Sequence, residues 1–191
     1  MTSNGDQAAT AGILVLQAHP YPDRSRANRA LGRAIAGLPG VEIRSLYDLY
    51  PDFGIDVQAE QAALTAADLV IWQHPMYWYS VPGLLKHWFD KVLARGWAYG
   101  EGGNALEGKR CLWVTTTGGD ARAFSPPGMH AHPLEAFVPH IEQTARFCGM
   151  RWLEPLIVQG AHRVSERVLG DWAGRYKLRV ESLLVDAGVV A

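Results

Sequence analysis

Three short runs hold the residue types that could bind or transform a ligand. The first is His19-Pro20-Tyr21-Pro22-Asp23-Arg24-Ser25-Arg26-Ala27-Asn28, which leads into a helix start. Free backbone N–H groups and the positive end of a helix attract an anion there; Ser25 and Asn28 add hydrogen bonds, and Arg24 or Arg26 adds charge. The glycines of a Walker loop or of G-x-G-x-x-G are missing. Read alone, the run is equally a capped helix with solvated arginines, and His19 a strand-end histidine. The second run is Pro75-Met76-Tyr77-Trp78-Tyr79-Ser80-Val81-Pro82. Its aromatics cannot all face a core, so they line a site for a planar heteroaromatic ligand or seal a helix–strand junction. The third, Thr115-Thr116-Thr117-Gly118-Gly119, offers hydroxyls and residues small enough for a backbone to approach a ring. His130, His132 and His140 follow, but no CxxC, H-E-x-x-H or carboxylate cluster joins them, so no metal is expected.

The elements around these runs set their positions. Gly12 to Ala18 is a continuous apolar run, as in a strand buried on both faces, stopped by His19-Pro20. Leu31, Ile35 and Leu38 stripe a helix begun by Ser25 and stopped by Gly37. Val41 to Leu46 alternates apolar and polar, as a half-exposed strand would. A short helix near Gln58 to Leu64 precedes a third strand, Ala67 to Gln73, stopped by His74-Pro75. Ser80 is placed to cap a helix with Pro82 in its first turn. Trp97 to Gly108 reads as an excursion or small hairpin, and Lys109 to Thr117 as strand four.

After a long loop (Asp120 to Pro133), a helix is striped by Leu134, Phe137, Val138, Ile141, Ala145 and Cys148. Strand five is Arg151 to Val158; Pro155 cannot donate to a ladder and puts it at an edge. The last helix, Ser165 to Val185, carries Val168, Trp172, Tyr176, Val180 and Leu184 four apart. Strand and helix alternate five times, which implies a doubly wound α/β domain with a parallel sheet in the order 2-1-3-4-5 and helices on both faces. All three runs leave the carboxyl ends of strands near the switch point, where such sheets bind ligands.

Composition sets the outer limits. The 191 residues are 48% hydrophobic and 19% charged, which is a folded rather than a disordered composition. Scaling gives about 70% of the unfolded surface buried, enough for a core without staples. Eighteen Lys+Arg against nineteen Asp+Glu leave no basic field for nucleic acid. Cys111 and Cys148 stand far apart and read as buried hydrophobes in a reducing compartment. Residues 1–11 read as a flexible polar leader without the marks of a signal peptide, and residues 12–188 as the one domain. The reading is of a cytoplasmic protein.

Taken together, the runs resemble a known family. Ala18 to Pro22 with Ser25-x-x-Asn28, Ser45 to Phe53, Gln73 to Pro82, Gly96 to Gly100, Thr116 to Gly119 and Phe147-Cys148-Gly149 stand in the order found in flavodoxin-like NAD(P)H:quinone oxidoreductases. The likeness is strongest to the ancillary flavoprotein subunits of glutathione-regulated potassium-efflux systems. The resemblance implies a flavodoxin-like fold holding FMN, with FAD less expected in so short a form, and two-electron transfer from NADH or NADPH to a quinone. Azo- and nitroreductases share that chemistry.

By resemblance, His19, Ser25, Arg26, Ala27 and Asn28 hold the phosphate region. Met76, Tyr77, Trp78 and Tyr79 line the isoalloxazine, and Thr116, Thr117, Gly118 and Gly119 contact its polar edge. His130 matches the histidine beside the substrate, where it can pass a proton. Phe124 stands where larger reductases have a tyrosine, and a phenyl ring cannot donate. The resemblance also implies a homodimer and, for an ancillary subunit, a potassium-efflux transporter as partner at the inner membrane.

Overall fold

The computed structural model describes residues 12–188, so the expected leader lies outside the described residues. The strands are β1 (Ile13–Gln17), β2 (Val41–Ser45), β3 (Leu69–Pro75), β4 (Arg110–Thr116), β5 (Arg151–Trp152) and β6 (Leu156–Val158). The helices are α1 (Arg26–Ile35), α2 (Leu46–Leu49), α3 (Val57–Ala66), α4 (Gly83–Val92), α5 (Pro139–Phe147) and α6 (Glu166–Asp186). Every pairing is parallel, and the order is β2-β1-β3-β4-β5, with β6 also on β4.

Alternate residues of the inner strands feed two cores, as a period of two requires. Ile13, Val15, Leu69, Ile71, Leu112 and Val114 pack with Leu31 and Ile35 of α1 and Tyr176, Val180 and Leu184 of α6. Leu14, Leu16, Val70, Trp72, Cys111 and Trp113 pack the other way, with Leu64 of α3, Leu84, Leu85 and Trp88 of α4, and Ile141 and Ala145 of α5. Both faces are therefore covered. Glu60 of α3 is wholly buried yet satisfied: Arg44, Tyr50 and Trp88 all donate to it. That network ties edge strand β2 to α3 and α4.

Several boundaries differ from the sequence reading. Strand three does not stop before His74-Pro75 but runs through both. The carbonyl of Gln73 faces β1 and the amide of Met76 faces β4, so the donor Pro75 lacks would point where β1 has already ended. Strand five is split. Trp152 to Leu156 spans four steps opposite three from Cys111 to Val114, so one residue is extra and the chain bulges at Pro155.

Ser80 does not cap α4; Pro82 holds that position and Ser80 closes a turn instead. Around Trp97 to Gly108 no strand pairing forms beyond an isolated bridge, Arg95 to Tyr99. The helix expected after Pro133 begins as a 3₁₀ turn over Leu134–Phe137, because Pro139 resets the start of α5. In α6 the buried stripe is Leu169, Tyr176, Val180, Leu183 and Leu184, not Val168 and Trp172. A strict spacing of four drifts about 40° per step, whereas mixed threes and fours keep to one face.

Candidate functional site

Three loops meet beyond the carboxyl ends of β1, β3 and β4. The first is anchored by local capping. Ser25 accepts the amide of Asn28 at 3.2 Å, which starts α1 and leaves the amides of Arg26 and Ala27 without intrahelical acceptors. Asn28 reaches across the fold: its Nδ2 donates to Thr116 Oγ1 at 2.9 Å, and its carbonyl accepts Gln73 Nε2 at 2.9 Å. Tyr176 of α6 donates to Gln73 Oε1. A buried chain of polar groups thus links α6, β3, α1 and β4 beneath the site. Asn28 Oδ1 is left without a partner, although Asn28 is only 8% exposed.

His19 accepts the amide of Tyr21 on Nδ1, so its Nε2 carries the proton, and burial lowers its pKa. Arg26 lines the site, but its guanidinium is engaged by Glu166 and the Val164 carbonyl. Arg24 stands 5.8 Å from the Tyr21 ring.

The second loop is a two-residue turn. Tyr77 and Ser80 exchange backbone hydrogen bonds of 3.1 and 3.0 Å, and Trp78 and Tyr79 between them have φ of 50° and 62°. Two positive φ values mark a type I′ turn, which normally takes Asn-Gly. Here two aromatics take it, and Trp78 is 92% exposed.

The third loop is stapled by Thr117, whose hydroxyl donates to the Gly119 carbonyl at 2.7 Å. Gly119 has to be small, since a Cβ there would come 2.8 Å from His130 Nε2 and 3.0 Å from Phe124 Cε2. The chain from Asp120 onward is also stapled. Asp120 accepts the amides of Arg122 and Ala123, which lowers its carboxyl pKa, and His130 donates its amide to the Ala123 carbonyl. The His130 ring stacks on Phe124 with centroids 4.2 Å apart.

Two adjoining cavities result, sharing Met76, Thr117 and Gly118. One, of about 290 Å³, is lined by His19, Ser25, Arg26, Ala27, Asn28, Met76, Tyr77, Thr116, Thr117 and Gly118. The other, of about 370 Å³, is lined by Met76, Trp78, Tyr79, Thr117, Gly118, Gly119, Phe124 and His130. Every residue that the resemblance assigned to the flavin or the substrate therefore borders one cavity or both, whereas His132 and His140 border neither.

His162, after β6, also lines the first cavity and was not foreseen. Gln73 and Tyr176 were missed too, although a glutamine inside an otherwise apolar strand is a visible signal. Among the described residues, no three His, Cys, Asp or Glu side chains group as metal ligands.

A parallel sheet of this order with a cradle at its switch point defines the doubly wound α/β class, whose ligands bind beyond the carboxyl ends of the strands. A family model for the flavodoxin-like fold matches residues 11–177, and the chain belongs to that family. Over 168 residues it is 52% identical to the glutathione-regulated potassium-efflux system ancillary protein KefF of Klebsiella aerogenes, covering 88% of this chain and 94% of that one. The general stress protein 14 of Treponema denticola, in complex with FMN, superposes with a TM-score of 0.83 at 30% identity, covering 90% and 98% of the two chains. An NADPH-quinone reductase from P. pentosaceus does so at 0.78 and 28% identity, covering 87% and 96%.

Proposed function

We propose that this chain is an FMN-dependent NAD(P)H:quinone oxidoreductase. The observation that carries the reading is the paired cavity, with amides and Asn28, whose Oδ1 is unpartnered, at one end and aromatics and glycines at the other. A buried acceptor without a donor costs about 1–3 kcal/mol, so a ligand N–H or O–H is expected there. The residues fit a phosphorylated flat ring. The α1 amides and His19 Nε2–H would hold the phosphate end, Met76 to Tyr79 the ring, and Thr116 to Gly119 its polar edge. When bound, FMN would supply two-electron hydride chemistry between a nicotinamide and a quinone.

The protein's own part is to bind, orient and pass a proton. His130, held on Phe124 and against Gly119, is the group placed to give a proton to the acceptor. A homodimer belongs to this reading. Trp78 at 92% exposure and Met129 at 81% rim the second cavity, an apolar edge that a second copy would cover.

The purified protein should take up FMN, turn yellow, oxidise NADH or NADPH when a quinone is supplied, and sediment as a dimer. Ser25→Ala with Asn28→Ala should weaken FMN at least about tenfold by removing a helix cap and the unpartnered acceptor. Failure to bind FMN removes the reading; unchanged affinity in the double variant removes the phosphate assignment.

A second reading rests on the 52% identity to the potassium-efflux ancillary protein. In it the chain serves at the cytoplasmic face of such a transporter and activates it. No helix among the described residues is long and apolar enough to cross a membrane, so attachment would be through that partner. Co-purification with the transporter, and its activation by added protein, test this; absence of both would sink it.

A further inference from the structure

We infer that Tyr79 is the positioning residue for His130, fixing which ring nitrogen carries the proton. Its catalytic consequence rests on the reductase reading; its geometry does not. The Tyr79 phenol oxygen lies 3.3 Å from His130 Nδ1, with the rings edge to face at 5.6 Å, although 51 residues separate them. The phenol is not free to wander. Tyr79 occupies the second positive-φ position of its turn, and its ring stacks on Phe137 at 5.1 Å. His130 is confined as well, by Phe124 on its face, by Gly119 beside Nε2 and by its own amide bond to Ala123.

A hydroxyl that donates to Nδ1 leaves the proton of a neutral imidazole on Nε2. Among the described residues Nε2 has no hydrogen-bond partner, and the ring lines the 370 Å³ cavity. The pair therefore presents an N–H donor to whatever enters. Phe124 has no hydroxyl, so the phenol comes from the loop after β3, across the cavity.

In quinone reduction the acceptor oxygen takes the Nε2 proton, and the N–H electron pair stays on nitrogen. Nδ1 takes the proton of Tyr79 Oη as this happens. Water then protonates Nε2 while Nδ1 hands its proton back to the phenolate, which restores the Nε2–H tautomer and the phenol, a group 42% exposed. When bound, the cofactor would supply the hydride, drawn from a nicotinamide.

The first test is the ¹⁵N spectrum of the histidine rings in cofactor-free protein. His130 should be the Nε2–H tautomer, and Tyr79→Phe should give a mixture of tautomers. In the FMN-loaded enzyme, Tyr79→Phe should lower kcat for quinone at least about tenfold, with quinone KM and FMN affinity within about threefold. An Nδ1–H tautomer in the unaltered protein overturns the assignment without any variant having to fold. A tautomer or a kcat unmoved by Tyr79→Phe overturns it too. A tautomer shift in a protein that binds no FMN would instead sink the reductase reading and leave the pair standing.

Discussion

Trp78 is a residue whose side chain contributes little to folding while its backbone is held at a cost. Its ring is 92% exposed and its φ is 50°. An L-residue in that region loses roughly 1–2 kcal/mol, and glycine does not. Trp78→Gly and Trp78→Ala both delete the ring, so their difference isolates the backbone. We expect the glycine variant to be the more stable by about 1 kcal/mol in urea unfolding of the cofactor-free protein; equal midpoints would show that the turn is not strained. The aromatic cluster was legible because its types and position had no core to fill. The bond between Gln73 and Tyr176 was not, because it joins residues 103 apart and depends on the placement of β3 against α6. His162 was equally hidden, since it lies after β6, outside the three runs, and joins the first cavity only once the sheet is assembled.

At the scale of elements, the loop from Asp120 to Pro133 behaves as a small structure of its own. Gly128 lets it close: a Cβ there would come 2.1 Å from the Arg122 carbonyl and 2.5 Å from that of Ala123. The Ala123 carbonyl is the acceptor that fixes the His130 backbone. Gly128→Ala should therefore open the loop and displace His130 while the sheet stays intact. The expected outcome is a thermal midpoint within a few degrees of the original, FMN retained, and quinone turnover lower by about tenfold or more. Turnover unchanged at full stability would mean that this loop does not position the histidine. The sequence marked the loop's length and its histidines but not its staples, which depend on Asp120 folding back on the next three residues. It also marked Pro155 as an edge residue. That the strand would bulge there followed from a register count against β4, which needs the partner strand in place.

For the whole molecule, five alternations of strand and helix sufficed for the layer order, since parallel strands need right-handed crossovers and few topologies survive. The exact polar seams inside the sheet were out of reach, and one of them governs the response to acid. His74 is fully buried in β3, accepting Trp113 Nε1–H on Nε2 at 2.7 Å and donating from Nδ1 to the Pro75 carbonyl at 2.9 Å. Burial lowers its pKa from 6.5 to about 4. The unfolded chain therefore binds the proton first, and stability is complete above pH 6.5 and falls as pH drops toward 4. From pH 7 to pH 5 the loss is about 2 kcal/mol from this one group. His19 and His140 are lowered in the same direction by burial and add to the slope. Urea titrations of cofactor-free protein at the two pH values measure the sum. His74→Gln should be less stable at pH 7, because Trp113 loses an acceptor shaped for it, yet show a shallower fall to pH 5. A slope unchanged in that variant would mean that His74 is protonated in the fold, and with it that the Trp113 bond is not made.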